Sequence, residues 1–302
     1  MDSIKNGPNT VKKILAYVTT EGNPSLFDVV VAHDAGVDVL VPYCRMEPAL
    51  VAEVVHNSVF TRSPKSLNNT AVFFGGKDAL KAKKLFDEAR RVLASLPGNF
   101  KVSICLDPEG ASTTASACVG RVKEAFGGSL SGVKATVLAG TGPVGQRIAT
   151  LLAKEGASVK LTSRGIKRAR DTCKFIADKY NMKVEAFEVS DEKTLQDAIA
   201  DAAIVVASGS EGVELLPERV WKQTASLKVL ADTNAVPPYG IGGVKPTDDL
   251  VEHDGKRLLG ALAIGGRKMK LHRALMTLLF EKNDGAYDLF EIYAIIVEGE
   301  TF

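Results

Sequence analysis

Three glycines at positions 140, 142 and 145 are the strongest chemical signal in the sequence. They stand in G-x-G-x-x-G spacing within VLAGTGPVGQR, after a β-branched run and before an amphipathic helical pattern. This spacing permits a tight turn, a close approach of backbone to a pyrophosphate, and close packing of the helix on the strand. The alternative is a purely structural glycine turn. The context favours a dinucleotide-binding loop, whose contacts we expect from Gly140, Thr141, Gly142, Pro143, Val144 and Gly145.

The end of the next predicted strand bears on which dinucleotide is bound. An NAD site usually carries Asp or Glu there to accept from the ribose hydroxyls, but the loop in LTSRGIKRAR contains no acid. Ser163 and Arg164 are suited to a 2′-phosphate, with Lys167 or Arg168 closing in. A solvated basic helix start is the alternative, and the helix dipole disfavours it. We therefore predict NADP, with NAD also possible.

A basic segment near the carboxyl terminus offers a second kind of chemistry. AIGGRKMKLHR covers residues 263–273, and two glycines precede a cluster of cations. We expect Gly265 and Gly266 to form a turn that opens a helix. Lys268 and His272 are four residues apart, so they share one face of that helix. The alternative is an ordinary basic helix start without a role.

Short β-branched runs alternate with helical patterns and must position these groups. This alternation predicts parallel sheets covered by helices on both faces, hence an α/β fold. A joint rich in glycine and serine at 126–134 separates two series of strands. The predicted strands are 13–20, 37–43, 70–76 and 101–107, then 134–140, 158–164, 183–189, 202–209, 227–234 and 258–266.

Two domains follow from that joint. We predict an N-terminal α/β domain over 1–129 and a Rossmann-type dinucleotide-binding domain over 130–266, with a cleft between them. The last ~35 residues carry helical periodicity, and we expect 267–302 to pack back on the first domain. Ligands of such sheets bind beyond the carboxyl ends of the strands. Ser208 and Asn234, which follow two strands of the second domain, are therefore predicted to contact the cofactor.

Hydroxyl side chains also follow a strand of the first domain. Ser112, Thr113 and Thr114 stand at a predicted helix start in GASTTASA, where hydroxyls either bind a ligand or cap backbone N–H groups. Both interpretations stay open from the residues alone.

Bulk composition excludes other classes of function. Lys plus Arg exceed Asp plus Glu by only 38 − 36 = 2, and 45% of the residues are hydrophobic. These values favour neither a nucleic-acid nor a membrane partner. The four cysteines are widely spaced, without a C-x-x-C pair, so neither a metal site nor a disulfide framework is expected. No signal peptide or bilayer-spanning run is apparent, and we expect a cytoplasmic protein.

Six segments together resemble one family. From about Lys13 to Tyr293 the chain is similar to the bacterial NADP-dependent methylene-tetrahydromethanopterin dehydrogenases of one-carbon metabolism, some of which also use methylene-tetrahydrofolate. The segments are SLFDVVVAHDAGVD (25–38), FFGGKDA (73–79), GASTTASA (110–117), VLAGTGPVGQR (137–147), DTNAVPPYGIGG (232–243) and GALAIGGRKMKLHRAL (260–275).

The resemblance implies oxidation of methylene-tetrahydromethanopterin by NADP⁺ in formaldehyde metabolism, by a homo-oligomer. It places the family's lysine on Lys268, as a catalytic group, and its histidine on His272. It places the threonine pair on Thr113 and Thr114, which with His272 and Asp28 are expected to bind the pterin carrier. Gly265 would then bring the backbone close to the nicotinamide.

Three other functions remain open at this point. The same hydride transfer on the folate carrier differs only in the carrier's tail and ring substituents. A shikimate-type NADP dehydrogenase needs a proton carrier, usually a Lys–Asp pair in the first domain; KDALKAKK offers lysines, but the family resemblance disfavours this function. A non-catalytic NADP sensor is compatible with the glycine loop.

Overall fold

The computed structural model of the protein describes residues 11–298. The chain divides into two compact units. Among the described residues, the first comprises 11–110 together with His272–Glu291, and the second comprises Ala111–Leu271 with 292–298. By this division the helix after residue 110 belongs to the second unit, whereas the sequence-based boundary at 129 assigned it to the first. The boundaries 1–129, 130–266 and 267–302 stay predictions.

Twelve strands form two sheets in the described residues. They are β1 (Ile14–Val18), β2 (Val39–Tyr43), β3 (Thr70–Phe74), β4 (Ser103–Leu106), β5 (Lys134–Leu138), β6 (Ser158–Ser163), β7 (Glu185–Glu188), β8 (Ile204–Ala207), β9 (Val229–Asp232), β10 (Asp249–His253), β11 (Lys256–Leu259) and β12 (Ala286–Tyr287).

Ten α-helices connect or flank these strands over residues 11–298. They are α1 (Leu26–Asp34), α2 (Pro48–Phe60), α3 (Ala79–Ser95), α4 (Ala111–Phe126), α5 (Pro143–Lys154), α6 (Ile166–Tyr180), α7 (Glu192–Ile199), α8 (Glu218–Gln223), α9 (Ala261–Leu278) and α10 (Leu289–Glu298). Nine of the ten predicted strands are present within their predicted ranges, each shorter than predicted, and the tenth overlaps its range 258–266 only at residues 258 and 259. The predicted α/β class is confirmed.

The sheet of the first unit has the order β12-β4-β3-β1-β2, and all its strands are parallel. Its buried core lies between the sheet and α2 and α3, and includes Val72, Ile104 and Phe86. Helix α3 presents its apolar residues at helical spacing, so one face is buried while its charged residues face solvent.

The sheet of the second unit has the order β10-β11-β9-β8-β5-β6-β7. Apart from β10, which runs antiparallel to β11, its strands are parallel. Without β10 this is the strand order of a Rossmann fold, with the reversal of order between β5 and β8. The fold therefore places the glycine loop, which follows β5, at the topological switch point.

The prediction of a strand at 258–266 is wrong beyond residue 259. Strand β11 ends at Leu259, and α9 begins at Ala261. A Cβ atom on Gly260 would lie 2.0 Å from the Lys245 carbonyl oxygen, so only glycine fits at the residue that joins the strand to the helix. An apolar run of this kind has no period that distinguishes strand from helix.

Two short elements were missed by the sequence analysis. Strand β10 forms a hairpin with β11, and its turn at Asp254 and Gly255 has positive φ at both residues. The Asp-Gly pair is the signal that predicts such a turn. Strand β12 interrupts the predicted helical tail and pairs with β4. Its two residues are too short a run to produce a periodic signal.

None of the helices within residues 11–298 combines the length and the hydropathy needed to cross a membrane.

Candidate functional site

The glycine turn after β5 is held by the neighbouring strand β6. The Gly140 N–H donates to the Thr162 carbonyl oxygen at 3.1 Å, and the Ala139 N–H donates to the Thr162 hydroxyl at 3.1 Å. Ala139 has a φ of 51°, a left-handed conformation that costs free energy for a residue with a side chain. This strain lets the chain leave the strand sharply and enter α5.

The three glycines serve different purposes in this turn. A Cβ on Gly145 would lie 2.6 Å from the Gly140 Cα and 2.4 Å from the Ser208 hydroxyl oxygen, so α5 packs too closely for a side chain. A Cβ on Gly140 would lie 2.9 Å from the Leu161 side chain. At Gly142, by contrast, nothing lies within 4 Å. Two glycines are therefore required by packing, and the third opens onto space that a pyrophosphate would fill.

The amino terminus of α5 is suited to an anion. Its N-cap is Gly142, no side chain caps it, and Pro143 occupies the first turn. Free N–H groups and the helix dipole both favour negative charge at such an end. The Gln146 side chain donates to the Thr141 carbonyl oxygen at 2.7 Å and holds the loop in shape. These residues fit the diphosphate of a dinucleotide cofactor.

Ser208 lies on the other side of the switch point. Its N–H donates to the Leu138 carbonyl oxygen at 3.1 Å, which joins the end of β8 to the end of β5. Asn234 follows β9, and its side chain is used within its own loop: the oxygen accepts from the Val236 N–H and the amide donates to the Pro238 carbonyl. Asn234 thus shapes the loop, and its contact with a cofactor stays a prediction.

Asp232 supports the same loop from a buried position. Its carboxylate accepts from the N–H groups of Asn234 and Ile241, both at 2.9 Å. Burial raises the pKa of Asp232 above its usual value, although these two backbone hydrogen bonds act in the opposite direction. The loop after β9 is therefore ordered by the Asp232 carboxylate together with the Asn234 side chain.

The loop predicted to bind the 2′-phosphate contains a feature that the sequence did not indicate. Ser163 is buried at the end of β6, whereas Arg164 and Lys167 are exposed. The Glu188 carboxylate, at the end of β7, accepts from the Ile166 N–H at 3.2 Å. The loop itself has no acid, as the sequence analysis stated, but the adjacent strand supplies one.

The hydroxyl cluster of α4 belongs to the second unit. Helix α4 begins at Ala111, so Ser112, Thr113 and Thr114 lie inside its first turn. The N-cap interpretation of these residues is therefore wrong, because an N-cap precedes the helix. The Ser112 hydroxyl accepts from Arg147 Nε at 3.1 Å. Thr113 is fully buried, whereas Thr114 is partly exposed.

The buried Arg147 connects this cluster to the glycine loop. Besides the contact with Ser112, its guanidinium donates to the Pro143 carbonyl oxygen at 2.9 Å. The start of α4 and the start of α5 are therefore held in register by one side chain. The sequence did not single out Arg147, because in its helical segment it resembles an ordinary solvent-facing cation.

In the first unit the structure brings Asp28 and His272 together. The His272 Nε2 lies 3.9 Å from an Asp28 carboxylate oxygen, and both side chains are buried. The other carboxylate oxygen accepts from the Tyr17 hydroxyl at 2.9 Å. The His272 ring lies between Phe27 and Phe73, with centroid distances of 5.8 and 6.0 Å. These residues form an aromatic-lined acid–imidazole cluster, which we call the Asp28–His272 cluster.

Tyr17 completes this cluster and was assigned by sequence only to a strand. Burial, followed by the nearby Asp28 charge, raises the pKa of Tyr17 above its usual value, so its hydroxyl remains a donor. A Cβ on Gly75 would lie 2.2 Å from the Tyr17 hydroxyl, which explains a glycine there. The Ser25 hydroxyl caps α1 by accepting from the Asp28 N–H at 3.4 Å.

Lys268 lies on α9 and is buried, with 9% of its surface exposed. The prediction that Gly265 and Gly266 form a turn is wrong: both lie inside α9, which begins four residues before Gly265. Helix formers surround them, and the glycines alone do not break the helix. At both positions nothing lies within 4 Å of the place that a Cβ atom would occupy, so their surfaces are open. The spacing prediction is confirmed, because Lys268 and His272 lie one helical turn apart.

Comparison with known proteins identifies related sequences. Residues 26–109 match the family model described as methylene-tetrahydromethanopterin dehydrogenase, N-terminal. The chain is 42% identical over 287 residues to the bifunctional protein MdtA of Methylorubrum extorquens, with 95% of this chain and 99% of that protein covered. It is 30% identical over 295 residues to the NAD(P)-dependent methylenetetrahydromethanopterin dehydrogenase of the same organism, with 95% and 98% covered.

Among solved structures, the catalytic subunit of aspartate transcarbamoylase from M. jannaschii has a TM-score of 0.52 at 13% identity, covering 89% of this chain and 86% of that one. This likeness concerns the fold alone. The near full-length relatives carry the assignment: the chain belongs to the methylene-tetrahydromethanopterin dehydrogenase family.

Proposed function

We propose that this chain oxidises methylene-tetrahydromethanopterin to the methenyl form, with a nicotinamide dinucleotide as hydride acceptor. The observation that carries the proposal is the glycine turn at the Rossmann switch point, in a chain of this family. Of its three glycines, only Gly142 has free space where a side chain would stand. A bound nicotinamide supplies the hydride acceptor, and the chain's own residues bind and orient the reactants.

The chemistry makes modest demands on the protein. The reacting carbon lies between two nitrogens, whose lone pairs stabilise the cation left by hydride loss. No proton has to move, so a general base is not required. The main requirement is to hold the carbon and its acceptor at roughly 3–3.5 Å in the correct orientation.

The cofactor residues are assigned by their places in the second unit. The backbone of the loop from Gly140 to Gly145 binds the diphosphate, and Ser208, Asn234 and Gly265 contact the remainder of the cofactor. Ser163, Arg164 and Lys167 bind the 2′-phosphate of NADP, since a guanidinium and a hydroxyl suit phosphate oxygens. NADP is thus the proposed cofactor, with NAD as a second acceptor.

The carrier residues are proposed from the positions that match the family resemblance. The Asp28–His272 cluster presents an acid and an imidazole, which complement the amino and ring N–H groups of a pterin. Thr113 and Thr114 supply further polar contacts. A full positive charge beside the new cation would oppose the reaction, so Lys268 is either neutral in its buried environment or held away from the reacting carbon while it orients the pterin or a water.

A comparative rate assay tests the proposal. Purified protein is given NADP⁺ or NAD⁺ with methylene-tetrahydromethanopterin, methylene-tetrahydrofolate or shikimate, and nicotinamide reduction is followed at its absorption band. The proposal expects the highest kcat/KM with the methanopterin carrier. Preference for the folate carrier would reassign the substrate. Inactivity on all three, with NADP still bound, would indicate a sensor. Gel filtration and cell fractionation test the further proposals of a homo-oligomer and of a cytoplasmic location.

A further inference from the structure

We infer that Glu188 is a specificity-determining residue, which lowers the preference for NADP over NAD by placing a carboxylate beside the 2′-phosphate position. The inference rests on the proposed cofactor site and extends it to a residue outside the glycine and arginine motifs.

The placement of Glu188 follows from strand register. Strands β6 and β7 are parallel, with Ser163 opposite Glu188, and the Val189 N–H donates to the Ser163 carbonyl oxygen at 2.9 Å. The carboxyl end of β7 therefore lies directly beside the loop that contains Arg164. The Glu188 carboxylate reaches across this loop to the Ile166 N–H at 3.2 Å.

The Glu188 carboxylate and the 2′-phosphate of NADP would both lie at the first turn of α6. Its N-cap, Gly165, provides no side-chain cap, so Glu188 accepts one of the N–H groups that the helix start leaves unpaired. Nothing lies within 4 Å of a Cβ at Gly165, so the space in front of this turn is open. The helix dipole and Arg164 attract an anion there, and Glu188 already provides one negative charge.

The two cofactors respond to this carboxylate in opposite ways. The 2′-phosphate of NADP carries up to two negative charges and is repelled by Glu188. The 2′-hydroxyl of NAD is neutral and is able to donate a hydrogen bond to a carboxylate. Arg164 therefore favours NADP and Glu188 favours NAD. The ratio of the affinities for NADP and NAD measures the net result of these two opposing effects.

The substitution Glu188→Gln separates charge from capping. Glutamine retains an oxygen that accepts from the Ile166 N–H, but it carries no charge. Glu185→Gln is the matched control, because it removes one charge from the exposed start of the same strand. Dissociation constants for NADPH and NADH are measured by nucleotide fluorescence at two salt concentrations, which requires no turnover.

We expect Glu188→Gln to raise the ratio of the NADH dissociation constant to the NADPH dissociation constant about fivefold, because it removes a repulsion between two charges several ångströms apart near a surface. The increase should be larger at low salt, where this repulsion is less screened. The control should leave the ratio unchanged. An unchanged ratio in Glu188→Gln, or equal weakening of both nucleotides, would assign Glu188 to capping alone and overturn the inference. So would an equal shift in the control. A protein that binds both nucleotides but oxidises no carrier refutes the proposed function, while the affinity ratio still decides this inference.

Discussion

The Asp28 carboxylate lies 3.9 Å from the His272 Nε2, although α1 and α9 stand at opposite ends of the sequence. The Tyr17 hydroxyl, donating at 2.9 Å, fixes the same carboxylate from the other side. A strand, the first helix and a late helix thus converge on one acid, at the carboxyl side of the first sheet. This arrangement makes the carrier side of the proposed site testable separately from the cofactor side.

Replacing Tyr17 by Phe should weaken the carrier site. The substitution removes the donor to the buried Asp28 carboxylate, which costs about 1–3 kcal/mol in stability. We expect KM for the carrier to rise severalfold with KM for NADP nearly unchanged, because the residues proposed to bind the cofactor lie in the second unit. Urea unfolding and steady-state kinetics measure the two effects. Equal changes in both KM values would mean that Tyr17 acts only through overall stability.

Replacing Arg164 by Gln should act on the cofactor side. Loss of a charge-assisted hydrogen bond to phosphate corresponds to about 1.5–3 kcal/mol, or roughly 10- to 100-fold in KM for NADP. NAD, which lacks the phosphate, should be much less affected. Arg170→Gln, an exposed cation farther along α6, is the control. If NAD and NADP were weakened alike, Arg164 would not be the phosphate ligand.

The two open glycines of α9 permit a paired test. Alanine at either position should raise the free energy of unfolding by about 0.5–1 kcal/mol, because both glycines are helical and a methyl group meets nothing within 4 Å. Only Gly265 is proposed to face the cofactor. Gly265→Ala should therefore lower kcat/KM while Gly266→Ala retains it. Full activity in both variants would remove Gly265 from the site.

Replacing Lys268 by Ala should lower kcat severalfold or more while leaving NADP affinity nearly intact. The expectation follows from its proposed role in orienting the carrier rather than the cofactor. Lys270→Ala, on an exposed part of the same helix, is the control. Single-turnover rates and NADPH fluorescence titration measure the two quantities. Wild-type turnover in Lys268→Ala would contradict the assignment.

The sequence predicts most of the second unit because its signals are local. The spacing of Gly140, Gly142 and Gly145 reflects packing distances between one strand and the next helix, and the strand runs on either side carry their own propensity. The same local logic places Lys268 and His272 on one helix face. It fails at 258–266, where an apolar run has no period that distinguishes the end of β11 from the start of α9.

The sequence by itself thus determined the α/β class, the position of the glycine loop and the basic segment after β6. Only the tertiary structure decided which distant side chains meet: Tyr17 with Asp28 and His272, Ser112 with Arg147, and Glu188 with the start of α6. The physical reason is that these contacts depend on strand order and helix packing. Both are set by the burial of apolar surface over the whole unit, and no short segment encodes them.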